Sequence, residues 1–309
     1  MGTKARLALV AVALGIVYVV WGSTYLAIRV AVREMPPLVG MGSRFLTAGL
    51  LLGALLTARG IDIRVSRKQL AGAALVGLLL PLLGNGLVAI GEESGAPSGI
   101  AALLVAAVPL YVAVYRFLAG DRPRLLSVLG VVLGFGGLAW LVLAGRDQGH
   151  VPLGGALIIL AASAFWGFGS WVQPRLHLPE NAFVLSVHEM WTGGSMMIAV
   201  GLLRGERPHL LAYGGHTWLA WGYLVVFGSM IAYTAYAWVL ANARIGLVAT
   251  YAYVNPLVAV LLGWLILDEP ITRGIVTGGL VIIAAVAIVI TVESRPRARR
   301  VEPVLEAAA

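Results

Sequence analysis

Apolar stretches of about 20 residues follow one another along almost the whole chain, separated by short dividers rich in turn formers and charges. As an α-helix, each stretch is long enough to cross roughly 30 Å of hydrocarbon. Hydrophobic residues make up 60% of the 309 and charged residues 12%, with a mean hydropathy of +0.92. An ordinary soluble domain has about 45–50% apolar and about 25% charged residues. So few charges cannot clothe a water-soluble surface, and the chain reads as an all-α polytopic membrane protein whose first partner is the lipid bilayer. Ten spans are expected, near 7–30, 38–57, 69–90, 97–118, 124–143, 153–173, 183–203, 216–240, 247–267 and 272–292.

The stretch near 99–123 and the stretch near 246–270 are variants of one design. A shift of 147 positions superposes Gly99 on Gly246, Pro109 on Pro256, Leu110 on Leu257, Asp121 on Asp268 and Pro123 on Pro270. Further upstream, a shift of 145 puts Trp21-Gly22 on Trp166-Gly167, Arg44 on Glu189 and Gly49 on Gly194. The chain is therefore read as two related units, 1–148 and 149–294, followed by a basic tail at 295–309. Five spans per unit is an odd number, so the second unit enters the membrane from the opposite side. The expected fold is ten transmembrane helices arranged as two inverted five-helix repeats. Such folds hold a substrate near the bilayer midplane, between the repeats.

Formal charge is +8, yet the excess sits in short loops and the tail, which is a topogenic pattern rather than a nucleic-acid surface. With the N-terminus inside, Lys4, Arg6, Arg59, Arg64, Arg67, Lys68, Arg116, Arg122, Arg124, Arg175, Arg244 and the tail arginines are cytoplasmic. The other side collects Arg29, Arg33, Arg146, Arg204, Arg207 and Arg273. Both termini are accordingly expected in the cytoplasm. The first residues begin like a signal peptide but run on without a small-residue cleavage site, and are read as a retained first span. Cysteine is absent, so thiolate metal sites and disulfides are excluded.

Arg44 is the basic residue set well inside a span, roughly 9 Å deep at about 1.5 Å per residue. An ionisable group at that depth normally faces a bundle interior or a wet cavity. It is read either as a structural arginine or as the contact for a substrate carboxylate. Glu189 has the same position in the seventh span. Inversion separates the two by roughly 12 Å along the membrane normal, so two polar stations are expected rather than a salt bridge. Glu189 is the candidate for proton coupling, with a structural or cavity-lining role as its alternative. Tyr18, Trp21 and Tyr25 form one helical stripe, which the sixth span repeats around Trp166. Asn85, Tyr111, Tyr115, Tyr233, Tyr236, Tyr251, Tyr253 and Asn255 are further polar-tipped residues at membrane depth, and Asn85, Tyr111, Tyr251 and Asn255 complete the expected cavity. Pro109 and Pro256 are expected to kink their helices and act as hinges. Asp121, Asp268 and Glu269 read as punctuation at the start of the following helices. The chain has no P-loop, and Thr192 stands where a zinc-protease motif beginning at His188-Glu189 would need its second histidine. No catalytic residues, metal ligands or cofactor are expected, and the chain does not read as an enzyme.

Together these residues resemble the EamA-like branch of the drug/metabolite transporter superfamily. The marks are Trp21-Gly22-Ser23-Thr24, Arg44-Phe45-Leu46, Gly99 to Leu104 leading to Pro109, Gly120-Asp121-Arg122 with Asp for the usual Glu, and Asp268-Glu269-Pro270. The resemblance implies export of amino acids, related zwitterionic or amphipathic metabolites, or drugs across a plasma membrane, a bacterial inner membrane being the expected one. The two repeats would rock about the cavity by alternating access. Protons and the substrate's own gradient both remain open as the driving force, and uptake by the same fold or a non-transport sensor role are the alternatives. Oligomeric state and substrate identity are not legible.

Overall fold

The computed structural model describes residues 3–121, 124–147, 152–243 and 250–293, and no strand occurs among them. The basic tail, the divide near 148, the first residues of the ninth expected span and the Arg122-Pro123 punctuation lie outside these residues. Helices are labelled here in chain order: α1 Leu7–Ala31, α2 Pro37–Ala58, α3 Arg67–Glu93 and α4 Ser98–Leu118. Next come α5 Leu125–Asp147, α6 Leu153–Arg175 and α7 Ala182–Leu203. Then follow α8 Gly215–Tyr236, continuing helical to Asn242, α9 Tyr251–Leu267 and α10 Arg273–Glu293. Eight of these are long and apolar enough to cross a membrane. The other two are α7, 22 residues long but diluted by His188, Glu189 and several small residues, and α9, with 17 described residues.

Local chemistry sets the helix ends. Ser66 and Gln69 form a capping box before α3, with Ser66 N–H donating to Gln69 Oε1 at 2.9 Å. The Asn181 side chain accepts from Phe183 N at 2.9 Å to start α7. Gly60 and Gly205, at φ 75° and 87°, follow α2 and α7 in the left-handed region that a Cβ would disfavour. The two glycines are 145 positions apart. Three helices widen into π turns, α1 at Val17–Trp21, α3 at Leu78–Gly86 and α8 at Leu224–Ile231. A π turn disrupts the regular ladder and is common at functional sites.

Two hydrophobic cores hold the helices. One joins α1, α2 and α3 to α7 and α8 through Phe45, Met41, Met190, Met197 and Leu224. The other joins α4 and α5 to α6, α9 and α10 through Leu103, Leu110, Leu141, Ile159 and Ile282. Each core therefore mixes helices from before and after residue 148. Close approach of backbones makes the mixing possible. A Cβ on Gly49 would stand 2.6 Å from Trp191, and one on Gly194 would stand 2.8 Å from the backbone of both Gly42 and Leu46. Likewise Gly22 lies against Asn255 O and Gly167 against Val108 O, at 3.1 and 3.3 Å from an ideal Cβ. Small residues at such crossings are how helices pack in lipid.

Pro109 departs from its expected role. The helix breaks at Ala106-Ala107, and Pro109 stands in the first turn of the segment that follows, where its missing N–H removes no interior bond. Pro256 does lie inside α9, and Pro81, inside the π turn of α3, is a second such proline.

Gly194→Val should lower the thermal stability of the purified protein by about 1–3 kcal/mol, because the added atoms meet backbone that cannot yield. Gly136→Ala, with nothing within 4 Å of its Cβ position, should be neutral or raise stability by up to about 1 kcal/mol. Parallel melting curves check the pair.

Candidate substrate-binding site

The polar and aromatic groups of the spans converge between the two cores on a partly open cavity of roughly 70 Å³. The π turns of α1 and α3 bring Trp21 and Asn85 to its wall. Tyr25, Trp166, Tyr251 and Asn255 also line it, as does Arg44. Trp21 is the hub of an aromatic cluster. Its ring stands edge-on to Trp166 at 6.4 Å, Tyr233 at 5.7 Å and Tyr251 at 5.4 Å, and tilted against Tyr236 at 4.8 Å. The indole N–H donates to Gly228 O at 3.3 Å, on the π turn of α8, where the regular ladder is interrupted.

Arg44 is only 3% exposed. Its Nε donates to Ser229 Oγ at 3.0 Å, and its guanidinium carbon lies 4.6 Å from the centre of the Phe45 ring. Among the described residues no carboxylate pairs with it; the one ion pair there is Arg116–Asp121, at 3.0 Å. Glu189 is 4% exposed, and its Oε1 has no hydrogen-bond partner. It sits off the cavity wall. Tyr233 does line the cavity, and its hydroxyl is also without a partner. No ion pair joins Arg44 to Glu189 among the described residues.

Two other expected cavity residues lie elsewhere. Tyr18 bonds through its hydroxyl to Thr250, and its carbonyl accepts from the Asn255 amide at 3.2 Å, so it serves the α1–α9 seam. Tyr111 stacks on Tyr115 and meets Phe135 edge-on at 5.2 Å, outside the cavity wall. Tyr233 was among the polar-tipped residues expected at membrane depth and lines the cavity; Ser229 and the pair Arg29 and Glu92 were not singled out as site residues. Ser229 gave no signal beyond being polar in an apolar run. Arg29 and Glu92 looked like ordinary span-end charges.

One face of the protein is fastened by three carboxylates, each capping a helix from the other side of residue 148. Glu206 accepts from Val39 N at 2.8 Å and Leu38 N at 3.3 Å, at the start of α2. Glu34 accepts from Gly214 N at 2.6 Å and the Thr217 hydroxyl at 2.8 Å, at the start of α8. Glu269 accepts from Ser98 N at 2.8 Å, the Ser98 hydroxyl at 2.9 Å and Gly99 N at 3.2 Å, at the start of α4. Acids do suit helix N-termini. The expectation for Glu269 was the helix that follows it, whereas it caps α4, far away in sequence. Asp268 takes the left-handed position that ends α9, at φ 54°.

A multi-helix membrane protein with an aromatic, singly cationic central cavity is the class that this architecture defines. Comparison with known proteins makes it specific. The model of the EamA-like transporter family matches residues 8–143 and 153–291. An uncharacterized inner membrane transporter of Escherichia coli, YedA, is 42% identical over 255 residues, covering 81% of this chain and 80% of its own. A probable amino-acid metabolite efflux pump of Salmonella typhimurium is 25% identical over 292 residues, covering 88% and 92%. One solved crystal structure superposes with a TM-score of 0.64 at 19% identity, covering 93% of this chain and 99% of that one, a likeness of fold alone. The chain belongs to the EamA-like transporter family.

The Gly214 N–H and then the Thr217 hydroxyl hold the Glu34 carboxyl below the usual carboxylate range. A lowered folded value contributes stability that is present above the unfolded value and lost as pH falls through the folded one. The melting-temperature gap between wild type and Glu34→Gln should therefore be full at neutral pH and close below about pH 4. A gap that is constant with pH would contradict the capping role.

Proposed function

We propose that this protein is a secondary transporter exporting small zwitterionic metabolites, amino acids or close relatives, across a bacterial inner membrane. The observation that carries the reading is Arg44, a buried guanidinium on the cavity wall with no carboxylate beside it among the described residues. A cation at membrane depth calls for an anionic partner, and a substrate carboxylate supplies one. The Trp21 cluster offers faces to an apolar side chain or, by cation–π attraction, to an ammonium group. A single arginine suits one carboxylate better than a doubly charged phosphate. The name of the Salmonella relative supports the same substrate class.

The reading includes ten spans in two inverted units, 1–148 and 149–294, with both termini cytoplasmic. Several matched features support the duplication: glycine caps at Gly60 and Gly205, π turns in α3 and α8, and the crossings at Gly22 and Gly167. In this orientation the Glu34, Glu206 and Glu269 clasps lie at the external face, each holding a helix start within its own core, and access is from the cytoplasm. Motion of whole repeats against each other would tear both hydrophobic cores. We therefore assign the moving bodies to the two mixed bundles, α2, α3, α7 and α8 against α4, α5, α9 and α10, with α1 and α6 lining the seam.

Cells expressing the wild-type protein should release particular amino acids or their relatives to the medium. Arg44→Ala at matched membrane abundance should lower that release at least about tenfold, the factor carried by about 1.4 kcal/mol. An unchanged extracellular pool in both strains would overturn export as the function.

A further inference from the structure

We infer that Glu92, together with Arg29, forms a proton-binding site beyond the closed end of the cavity, separate from the substrate site. The inference rests on the transporter reading and adds its coupling ion.

Glu92 ends α3 and is 0% exposed, and neither of its carboxylate oxygens has a hydrogen-bond partner. Such isolation is unusual for a buried acid, since an unpaired polar group in an apolar setting is costly and an unpaired charge far more so. A guanidinium nevertheless stands beside it. Arg29 of α1 donates to the main-chain carbonyl of Glu92 itself and bypasses the carboxyl group. The residue thus has two arrangements available. With a proton on Glu92, no counter-charge is required and Arg29 rests on the carbonyl, as observed. Without it, the carboxylate needs Arg29, and a short swing from carbonyl to carboxylate supplies the pair.

The surroundings connect this choice to both the cavity and the clasps. Val88 and Tyr25 line the cavity. Glu92 lies one helical turn beyond Val88 on α3, and Arg29 one turn beyond Tyr25 on α1, so about 5.4 Å separates site from cavity along each helix. The titratable and charged groups facing Glu92 are Tyr25 and Arg29 of α1 and Glu269 from the loop after α9. Glu93 adjoins it on its own helix and is exposed. Helix α2, also packed on this end of α3, brings only Arg44, which is held by Ser229, and the packed segments of α4 and α6 bring no titratable side chain. Glu269 is the carboxylate that fastens α4. A charge appearing on Glu92 both draws Arg29 away and repels Glu269, and so loosens that clasp. Proton uptake from water at the external face closes it again. The proton goes to a Glu92 carboxylate oxygen and leaves it again through the cavity beside Tyr25 and Val88 to cytoplasmic water, and the cycle needs no other reactant. Protonated and closed outside is the combination that an exchanger of external protons for internal substrate requires.

Distances between spin labels at Ser94→Cys and Ile271→Cys test this in the full chain in lipid nanodiscs. Both positions are exposed, they flank the Glu269 clasp, and the native chain has no cysteine to interfere. Between about pH 5 and about pH 9, a longer-distance population should grow in the wild-type background. Glu92→Gln, shaped like the protonated acid, should lose that shift and keep the short distance throughout, while Glu189→Gln should shift like wild type. A Glu92→Gln protein that still shifts overturns the proposal, as does a wild-type background that stays flat, which needs no substitution at Glu92. Metabolite release is scored separately. Flat distances with intact export would remove the proton site and leave the transporter reading standing, whereas shifting distances without export would do the reverse.

Discussion

Hydrocarbon offers no hydrogen-bond partner, so every polar group that this chain takes into the membrane must be met from within the protein. Most are met locally. Thr24, Ser163, Ser170, Ser186, Thr192 and Thr234 each return a hydroxyl to a carbonyl of their own helix. Trp21 finds its acceptor in the π turn of α8. Against that background, and apart from the unpartnered indole N–H groups of Trp171 and Trp191, four unmet groups stand out: the Glu92 carboxyl, Oε1 of Glu189, the Tyr233 hydroxyl, and Arg44 without an acid. All four lie on or next to the seam between the two cores. Where the protein leaves polarity unanswered, a substrate or a proton can answer it.

The packing then decides how such a protein can move. Glycines at the α2–α7 crossing bring backbones into contact, and Phe45, Met190 and Met197 lock that pair into one core. The α5–α10 pair is locked into the other core through Leu141 and Ile282. These contacts are too intimate to slide. The seam between the cores holds the cavity and the broken helix at Ala106-Ala107, while the three carboxylate clasps tie helix ends within each core. Hydrogen bonds from a carboxylate to helix ends can be exchanged for water at the surface, so the clasps are the cheaper contacts to open.

Much of this was legible in the sequence, for reasons that also explain the rest. The helical class follows from apolar runs, and the Trp21, Arg44 and Trp166 positions follow from a duplicated pattern, so their convergence on one cavity needed no coordinates. Tyr18 and Tyr111 were expected beside them because stripe membership is set by periodicity. Which edge of a stripe reaches the cavity depends on helix rotation, and α1 turns Tyr18 toward Thr250. The long-range role of Glu269 could not be read locally, since its partners Ser98 and Gly99 lie some 170 residues away. Glu92 was hidden for a simpler reason. Next to Glu93 at the end of a span it looks like a solvated charge, and only packing of α1, α4 and α6 around it removes the water.

The central claim is that Arg44 meets a substrate carboxylate inside the cavity. A ligand that binds only the folded protein raises its melting temperature in proportion to occupancy. The direct measurement is the melting temperature of the purified protein with a panel of amino acids, each beside the amine that lacks its carboxylate, for wild type and Arg44→Ala. The account expects particular amino acids to raise the wild-type value, their amines to leave it unchanged, and Arg44→Ala to lose the response. Equal shifts with the amines, or an undiminished response in Arg44→Ala, would contradict it.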